Sequence, residues 1–447
     1  MFSARDVHVF RYRTGVSYNQ DTFRTEARTY INRISLSTHR KPGAAMKPET
    51  RIYLDAVLQN IKSVAFFTFL GVLIARLGAS DFEIALSNSL PAFFCALTLA
   101  FFTRQLPVTR GVFLISGYVR QFAFICMALS ILLPNPIPVL FTFWAINAVS
   151  VIVTAALQPA ILRRVIEPNQ FPTLFSRNKI IGITIMTAGG FLIGFGLDAT
   201  DQWFPYNYVG SMLLGCLATF TGMALIASMA PRQSIKFRIQ WVRPFQDCDR
   251  NVWWIGLNTT GVHMVAPLFT IYHVKTMHLS NTQIGYFVVV TGIVSALALP
   301  LIRMAMNRFG ATPVYAASLL LMVLCVLPYG FVSLFPLLLV LQAVIGLGIA
   351  VAEVSTQTIM MRDADKHRRE MAYFSDFQLV MHVGMAVDPL ISGALLLFLP
   401  LWACFLAVAT IRLAFFAAYR WLPDGKYERP VAVKQALGET GGLPQRG

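Results

Sequence analysis

Two stretches decide the fold: Arg76-Leu77-Gly78-Ala79-Ser80-Asp81-Phe82-Glu83-Ile84 and Lys275-Thr276-Met277-His278-Leu279-Ser280-Asn281-Thr282-Gln283-Ile284. Each is a short polar turn between two long apolar runs. They align at an offset of 200, with Ser80 on Ser280, Asp81 on Asn281, Glu83 on Gln283 and Ile84 on Ile284. A second alignment, at an offset of 199, pairs Gln158 with Gln357, Arg163 with Arg362, Phe175 with Phe374, Ser176 with Ser375 and Gly194 with Gly393. Two separate stretches sharing nearly one offset indicate an internal duplication.

Working outward, apolar runs fall at 52–77, 81–103, 110–133, 137–162, 179–199 and 205–229, then at 251–273, 280–302, 311–332, 334–360, 372–398 and 400–422. A helix needs about 20 apolar residues to cross a bilayer core of about 30 Å. The runs are too long for barrel strands of about ten alternating residues. The sequence therefore predicts an all-α polytopic membrane protein of twelve transmembrane helices in two six-helix pseudo-repeats. Composition agrees: 56% of the 447 residues are hydrophobic and 13% are charged, against about 25% charged in soluble domains. Mean hydropathy is +0.60.

The net charge of +16 then needs a different explanation from nucleic-acid binding. Of 37 Lys and Arg residues, 32 fall before, after or between the runs on the side shared by both termini. Arg76 and Lys275 mark the opposite face, and Lys62, Arg120 and Arg412 lie inside runs. The positive-inside rule places both termini in the cytoplasm of a plasma (inner) membrane protein. The basic collar would meet anionic lipid headgroups at that face. Trp203 and Trp402 fall at one interface and Trp253, Trp254 and Trp421 at the other, as two aromatic belts. Of six Cys residues, five lie inside runs and Cys248 in a loop, with no disulfide or zinc spacing.

The expected organisation is a basic tail at 1–50, a six-helix bundle at 51–229, a linker at 230–250, a second bundle at 251–422 and a tail at 423–447. Residues 1–45 are Arg-rich and lack the apolar core of a secretory signal. They read as a disordered tail, as a targeting segment, or as sequence preceding a true start at Met46.

Such six-plus-six parallel repeats are a transporter architecture with the substrate site between the halves. The chain resembles the major facilitator superfamily over about residues 50–422, and the residues that carry the likeness are local. The stretch Arg76 to Ile84, followed by Asn88-Ser89-Leu90-Pro91, is similar to the span 1–2 connection of many bacterial members. Asn307-Arg308-Phe309-Gly310 resembles the family loop motif Asp-Arg-x-Gly-Arg, with Asn in place of the acid and Ala311 after the Gly. Thr103-Arg104-Gln105-Leu106-Pro107 keeps only the basic residue. In the family the acid of this motif helps latch the cytoplasmic face, so the resemblance implies a non-standard latch here. It also implies that spans 1, 4, 7 and 10 line a central cavity.

Ionisable residues at bilayer depth are costly unless paired or hydrated, which makes them functional candidates. Asp388 on span 11 and Arg412 on span 12 lie at matched depth and are expected to pair, as a structural lock or a proton-linked site. Lys62, His263 and Glu353 bring a cation, an imidazole and a carboxylate onto expected cavity spans, for a charged solute or a proton. The alternative is that Glu353 only neutralises Lys62 or lies near the inner headgroups. Asp55, Gln59 and Lys62 share one face of span 1; Asp55 reads as a proton site or as an interfacial acid near Arg51. Arg120 reads as a structural tie to a carbonyl or to Asp55. Asn147 and Gln158 lie on span 4, and Asn258, Thr259 and Thr260 on span 7. Gln357 follows Glu353 on span 10, and it and its repeat partner Gln158 are placed to hydrogen-bond across the pseudo-twofold axis. Gly182, Gly189, Gly190, Gly194 and Gly196 give span 5 a small-residue face that permits close helix approach.

No P-loop, HExxH, GxSxG or Cys/His metal cluster is present in the sequence. The expectation is therefore a non-enzyme without cofactor or metal. It would be a monomeric secondary transporter moving a small organic solute by alternating access, proton-coupled or coupled to another ion, with efflux slightly favoured. The alternative is a facilitator-fold assembly factor or lipid flippase without solute transport.

Overall fold

The computed structural model describes residues 46–101, 109–162, 165–166, 171–231, 245, 250–364 and 370–420. Most of the basic collar, including Arg104, Arg163, Arg164 and nearly all of the 230–250 linker, lies outside them, as do Cys248, Trp421 and both tails. The described residues form twelve helices. The first six are α1 (Pro48–Arg76), α2 (Asp81–Phe101), α3 (Arg110–Ser130), α4 (Pro136–Leu162), α5 (Phe171–Ala199) and α6 (Tyr206–Ala227). The last six are α7 (Arg250–Ile271, with a π turn over Tyr272–Thr276), α8 (Asn281–Phe309), α9 (Ala311–Tyr329), α10 (Phe335–Ala364), α11 (Glu370–Leu395) and α12 (Leu401–Arg420). Eleven are long and apolar enough to cross a membrane among the described residues. The other, α7, has several side chains outside the described set and stands where the seventh span is expected. Helices are required here because a bilayer core offers no water to backbone N–H and C=O groups. The sequence boundaries are short at two places: α5 starts at Phe171 and α8 runs on to Phe309.

The repeated turns fold as repeated helix starts. In the first, Ser80 Oγ accepts the N–H of Glu83 at 3.2 Å while the Glu83 carboxylate accepts the N–H of Ser80 at 2.8 Å. In the second, Ser280 Oγ accepts the N–H of Gln283 at 3.2 Å, and Gln283 Oε1 accepts the N–H of Ser280 at 2.9 Å. Both are reciprocal caps that satisfy helix N–H groups otherwise lacking partners.

The first and last six helices meet along two seams, α2 against α11 and α5 against α8. Small residues make both approaches possible. A Cβ on Gly194 would stand 2.5 Å from the Asn281 carbonyl oxygen of α8, and one on its repeat partner Gly393 would stand 2.7 Å from Ala85 Cβ of α2. Gly190 lies against Val288 in the same way, whereas Gly182 and Gly189 face Asn60 and Val64 of α1, and Gly196 faces open space. The Ser89 hydroxyl of α2 donates to the Ala386 carbonyl of α11.

The apolar core is unequally shared. At the face carrying the α1–α2 and α7–α8 turns, hereafter the turn face, one cluster joins Phe66, Leu73 and Ile84 of the first half to Leu268, Tyr272 and Phe405 of the second. Toward the opposite face Val112, Phe113, Leu157 and Ile226 form one cluster, and Val252, Tyr315, Tyr373 and Phe377 another. A small group, Ala96, Leu99 and Leu379, links α2 to α11 there.

Candidate functional site

The α1 helix turns to π geometry over Ser63–Thr68 and leaves helical geometry at Phe69. Ser63 Oγ donates to the Gln59 carbonyl at 3.0 Å and Thr68 Oγ1 to the Ser63 carbonyl at 3.2 Å, so side chains satisfy the loosened backbone. In α7 the repeat-related stretch holds Pro267, whose missing N–H leaves the His263 carbonyl without its helical donor. Each of these two helices is thus interrupted near its middle, beside a candidate residue.

In the first half, Asp55 is 3% exposed. Its Oδ1 accepts from Gln59 Nε2 at 3.2 Å and its Oδ2 from Gln158 Nε2 of α4 at 3.1 Å. Gly222 of α6 leaves the space, since a Cβ there would lie 2.6 Å from Asp55 Oδ1. Arg120 of α3 and Lys62 lie within electrostatic reach of Asp55. Arg120 Nη1 donates to Thr154 Oγ1 at 3.4 Å, and its Nε has no hydrogen-bond partner among the described residues. Lys62 Nζ stands 5.5 Å from the centroid of the Phe67 ring. Asp55 is therefore an interior acid; Arg51, the alternative partner, donates instead to Ser228 Oγ at 2.7 Å.

In the second half, Asp388 and Arg412 are both buried. Arg412 feels Tyr315 and Asp388, while His263 feels His382 and Arg412. The Arg412 side chain reaches α7, its Nε lying 3.6 Å from where a Cβ on Gly261 would be. Three candidates, His263 of α7, Asp388 of α11 and Arg412 of α12, are thus grouped electrostatically, together with His382 of α11, which the sequence did not single out.

Two expectations are not met. Lys62, His263 and Glu353 do not converge: Glu353 pairs with Lys179 of α5 at 2.6 Å, both side chains half-exposed. A nearer cation from the other half has taken the carboxylate. Gln158 and Gln357 do not meet across the axis, because Gln158 is engaged by Asp55 and Gln357 is exposed. Asn147 is 1% exposed, but its Nδ2 finds no acceptor among the described residues. In the loop motif, Asn307 and Arg308 are exposed, Arg308 lies over Phe309, and Gly310 supplies a φ of 88° between α8 and α9.

The sequence reading missed two features. One is a buried network in which His273 Nε2 lies 2.7 Å from the Tyr329 hydroxyl, which also accepts from Gln342 Nε2 at 2.9 Å. Gln342 within a long apolar run was its visible signal. The other is the polar closure of the turn face. Asp198 of α5 accepts the Asn281 N–H at 2.9 Å, the Asn281 Nδ2 amide at 2.8 Å and the Thr282 N–H at 2.7 Å. Tyr208 of α6 donates to Asn281 Oδ1 at 2.6 Å. Beside the other seam, at the end of α7, Lys275 Nζ donates to Asp81 Oδ1 at 2.8 Å and to the Ala79 carbonyl at 2.6 Å.

Twelve helices in two repeated sixes, joined along two small-residue seams with polar groups at mid-span, define a multi-pass helical membrane protein. The sequence model of the Major Facilitator Superfamily matches residues 252–443, and the resemblance read from the sequence is borne out: the chain has the major facilitator fold. Among solved structures it is similar to the nucleoside transporter NupG, at 13% identity and TM-score 0.60, covering 84% of this chain and 98% of that one. It is similar to a POT family transporter in complex with 5-aminolevulinic acid, at 11% identity and TM-score 0.66, with coverages of 83% and 94%. It is also similar to a D-xylose-proton symporter, at 13% identity and TM-score 0.59, with coverages of 85% and 98%. No curated protein sequence matches the chain.

Proposed function

We propose that the chain is a secondary transporter that moves a small organic solute across the plasma membrane by alternating access. Residues 51–229 and 251–422 act as the two moving halves, with both termini in the cytoplasm. The observation that carries this reading is the pair of inter-half seams. Each is lined by small residues; at the turn face Asp198 of α5 holds α8, and beside the α2–α11 seam Lys275 at the end of α7 holds Asp81 of α2. Such contacts can part and re-form while the apolar bundles stay intact. A site between the halves then opens to one side at a time, as parallel-repeat transporters work.

Proton coupling is the energy source we favour. Asp55 is a buried carboxylate whose two oxygens rest on neutral amides, so gaining a proton removes a buried charge and leaves its neighbours in place. Efflux is favoured over uptake because the span interiors are mainly apolar and aromatic. The protein is expected to work as a monomer in contact with anionic lipid. Purified protein in liposomes with imposed pH gradients tests the reading. Solute flux should rise with the gradient and reverse with its sign; flux that ignores the gradient overturns the coupling and leaves facilitated transport.

A further inference from the structure

We infer that the transported solute is an organic anion, and that Lys62, with Arg120 behind it, holds its negative group; the inference rests on the transport reading above. The first argument is charge balance. Among the described residues, Lys179 and Glu353 cancel each other, and Arg412 is coupled to Asp388 within the second half. At mid-span the first half keeps two cations, Lys62 and Arg120, against one carboxylate, Asp55. Both oxygens of that carboxylate already accept amide donors. No described carboxylate lies within 4.0 Å of Lys62 Nζ or of the Arg120 guanidinium. An ammonium in a low-dielectric interior needs an anion or water to be tolerated.

The second argument is position. Lys62 is 14 residues from Pro48 and 14 from Arg76, the midpoint of α1. At 1.5 Å per residue that is about 21 Å from either end, beyond the reach of a lipid headgroup phosphate. The third is access. Lys62 is half-buried, whereas Arg120 is 6% exposed, so a solute meets the lysine first. The π turn of α1 begins at Ser63, directly after Lys62, and such turns inside helices frequently accompany functional sites. The half-buried Phe67 ring beside the ammonium offers an apolar wall, which suits an amphiphilic anion with an aromatic or hydrocarbon body.

The test uses the full-length protein in liposomes and in detergent, with aromatic carboxylates and sulfonates as probes, each with its matched neutral amide and cationic amine. The carboxylates and sulfonates should raise the unfolding temperature and be transported. Lys62→Gln should weaken their apparent affinity by about tenfold or more, the usual loss for a charged hydrogen bond, while Lys62→Arg keeps most of it. Unliganded unfolding temperature and elution volume show whether each variant is folded, and Lys62→Arg carries the comparison if Lys62→Gln is not. Transport of amides or amines without carboxylates overturns the anion site and leaves transport standing. So does unchanged carboxylate affinity in a folded Lys62→Gln protein. Lys62-dependent carboxylate binding without flux of any probe upholds the site and overturns the transport reading. No carboxylate effect on stability or flux overturns the anion site.

Discussion

Asp198 at the end of α5 caps α8 from the other half of the molecule, its Oδ2 accepting the Thr282 N–H at 2.7 Å. A carboxylate at a helix start satisfies N–H groups that have no partner of their own and meets the positive end of the helix dipole. Asp198→Ala should therefore weaken the closed turn face by about 1–2 kcal/mol, the usual cost of losing an N-cap. Spin labels at Trp203 and His278, both exposed near this face, should show a longer mean distance in the variant. An unchanged distribution would mean that the cap does not hold the seam.

Lys275→Met removes the bridge to Asp81 and to the Ala79 carbonyl. Both charged side chains are partly exposed, at 33% and 44%, so the expected cost is about 0–1 kcal/mol and should shrink with added salt. Combined with Asp198→Ala, the two effects on unfolding temperature should add, because the two bridges share no partner residue. A strongly non-additive double variant would show that the seams open together.

Gly194→Ala brings a methyl group to within 2.5 Å of the Asn281 carbonyl oxygen. Backbone cannot swing aside as a side chain does, so α8 must shift and transport should fall sharply in protein that still folds. Gly196→Ala, which meets open space two residues away, should behave as wild type. Equal flux for both variants would remove the seam from the transport cycle.

Asp55→Ala leaves the Gln59 and Gln158 amides without their acceptor, and the loss of stability should be about 1–3 kcal/mol. Asp55→Asn keeps an acceptor oxygen and costs less. In both variants gradient-driven flux should disappear while solute exchange at equal pH persists. Gradient-driven accumulation by Asp55→Asn would exclude Asp55 as the coupling carboxylate.

The architecture was legible because bilayer solvation writes it in long apolar runs, and the duplication was legible because both turns keep the Ser-x-x-Glu/Gln cap. Asp55, Gln59 and Gln158 were legible as one set in part: helical spacing puts the first two together, but only folding brings α4 beside α1. The Glu353 partner was not legible, because Lys179 lies 174 positions away and competes with Lys62 in a way no spacing reports. Asp81 and Asn281 align between the repeats but differ in charge. In the structure a carboxylate is needed opposite Lys275 and an amide opposite Asp198, where a second acid would repel.

The turn face is therefore not a symmetric clasp. Position 397, which corresponds to Asp198 at the offset of 199, is an exposed Leu, so this position supplies the α2 helix start with no carboxylate. At the turn face α5 meets α8 through directional hydrogen bonds to backbone, and α7 meets α2 through a partly hydrated ion pair. Rising ionic strength acts mainly on the second, so α7 and α2 should separate first. The face would then swing open about the Asp198 side as a door on one hinge.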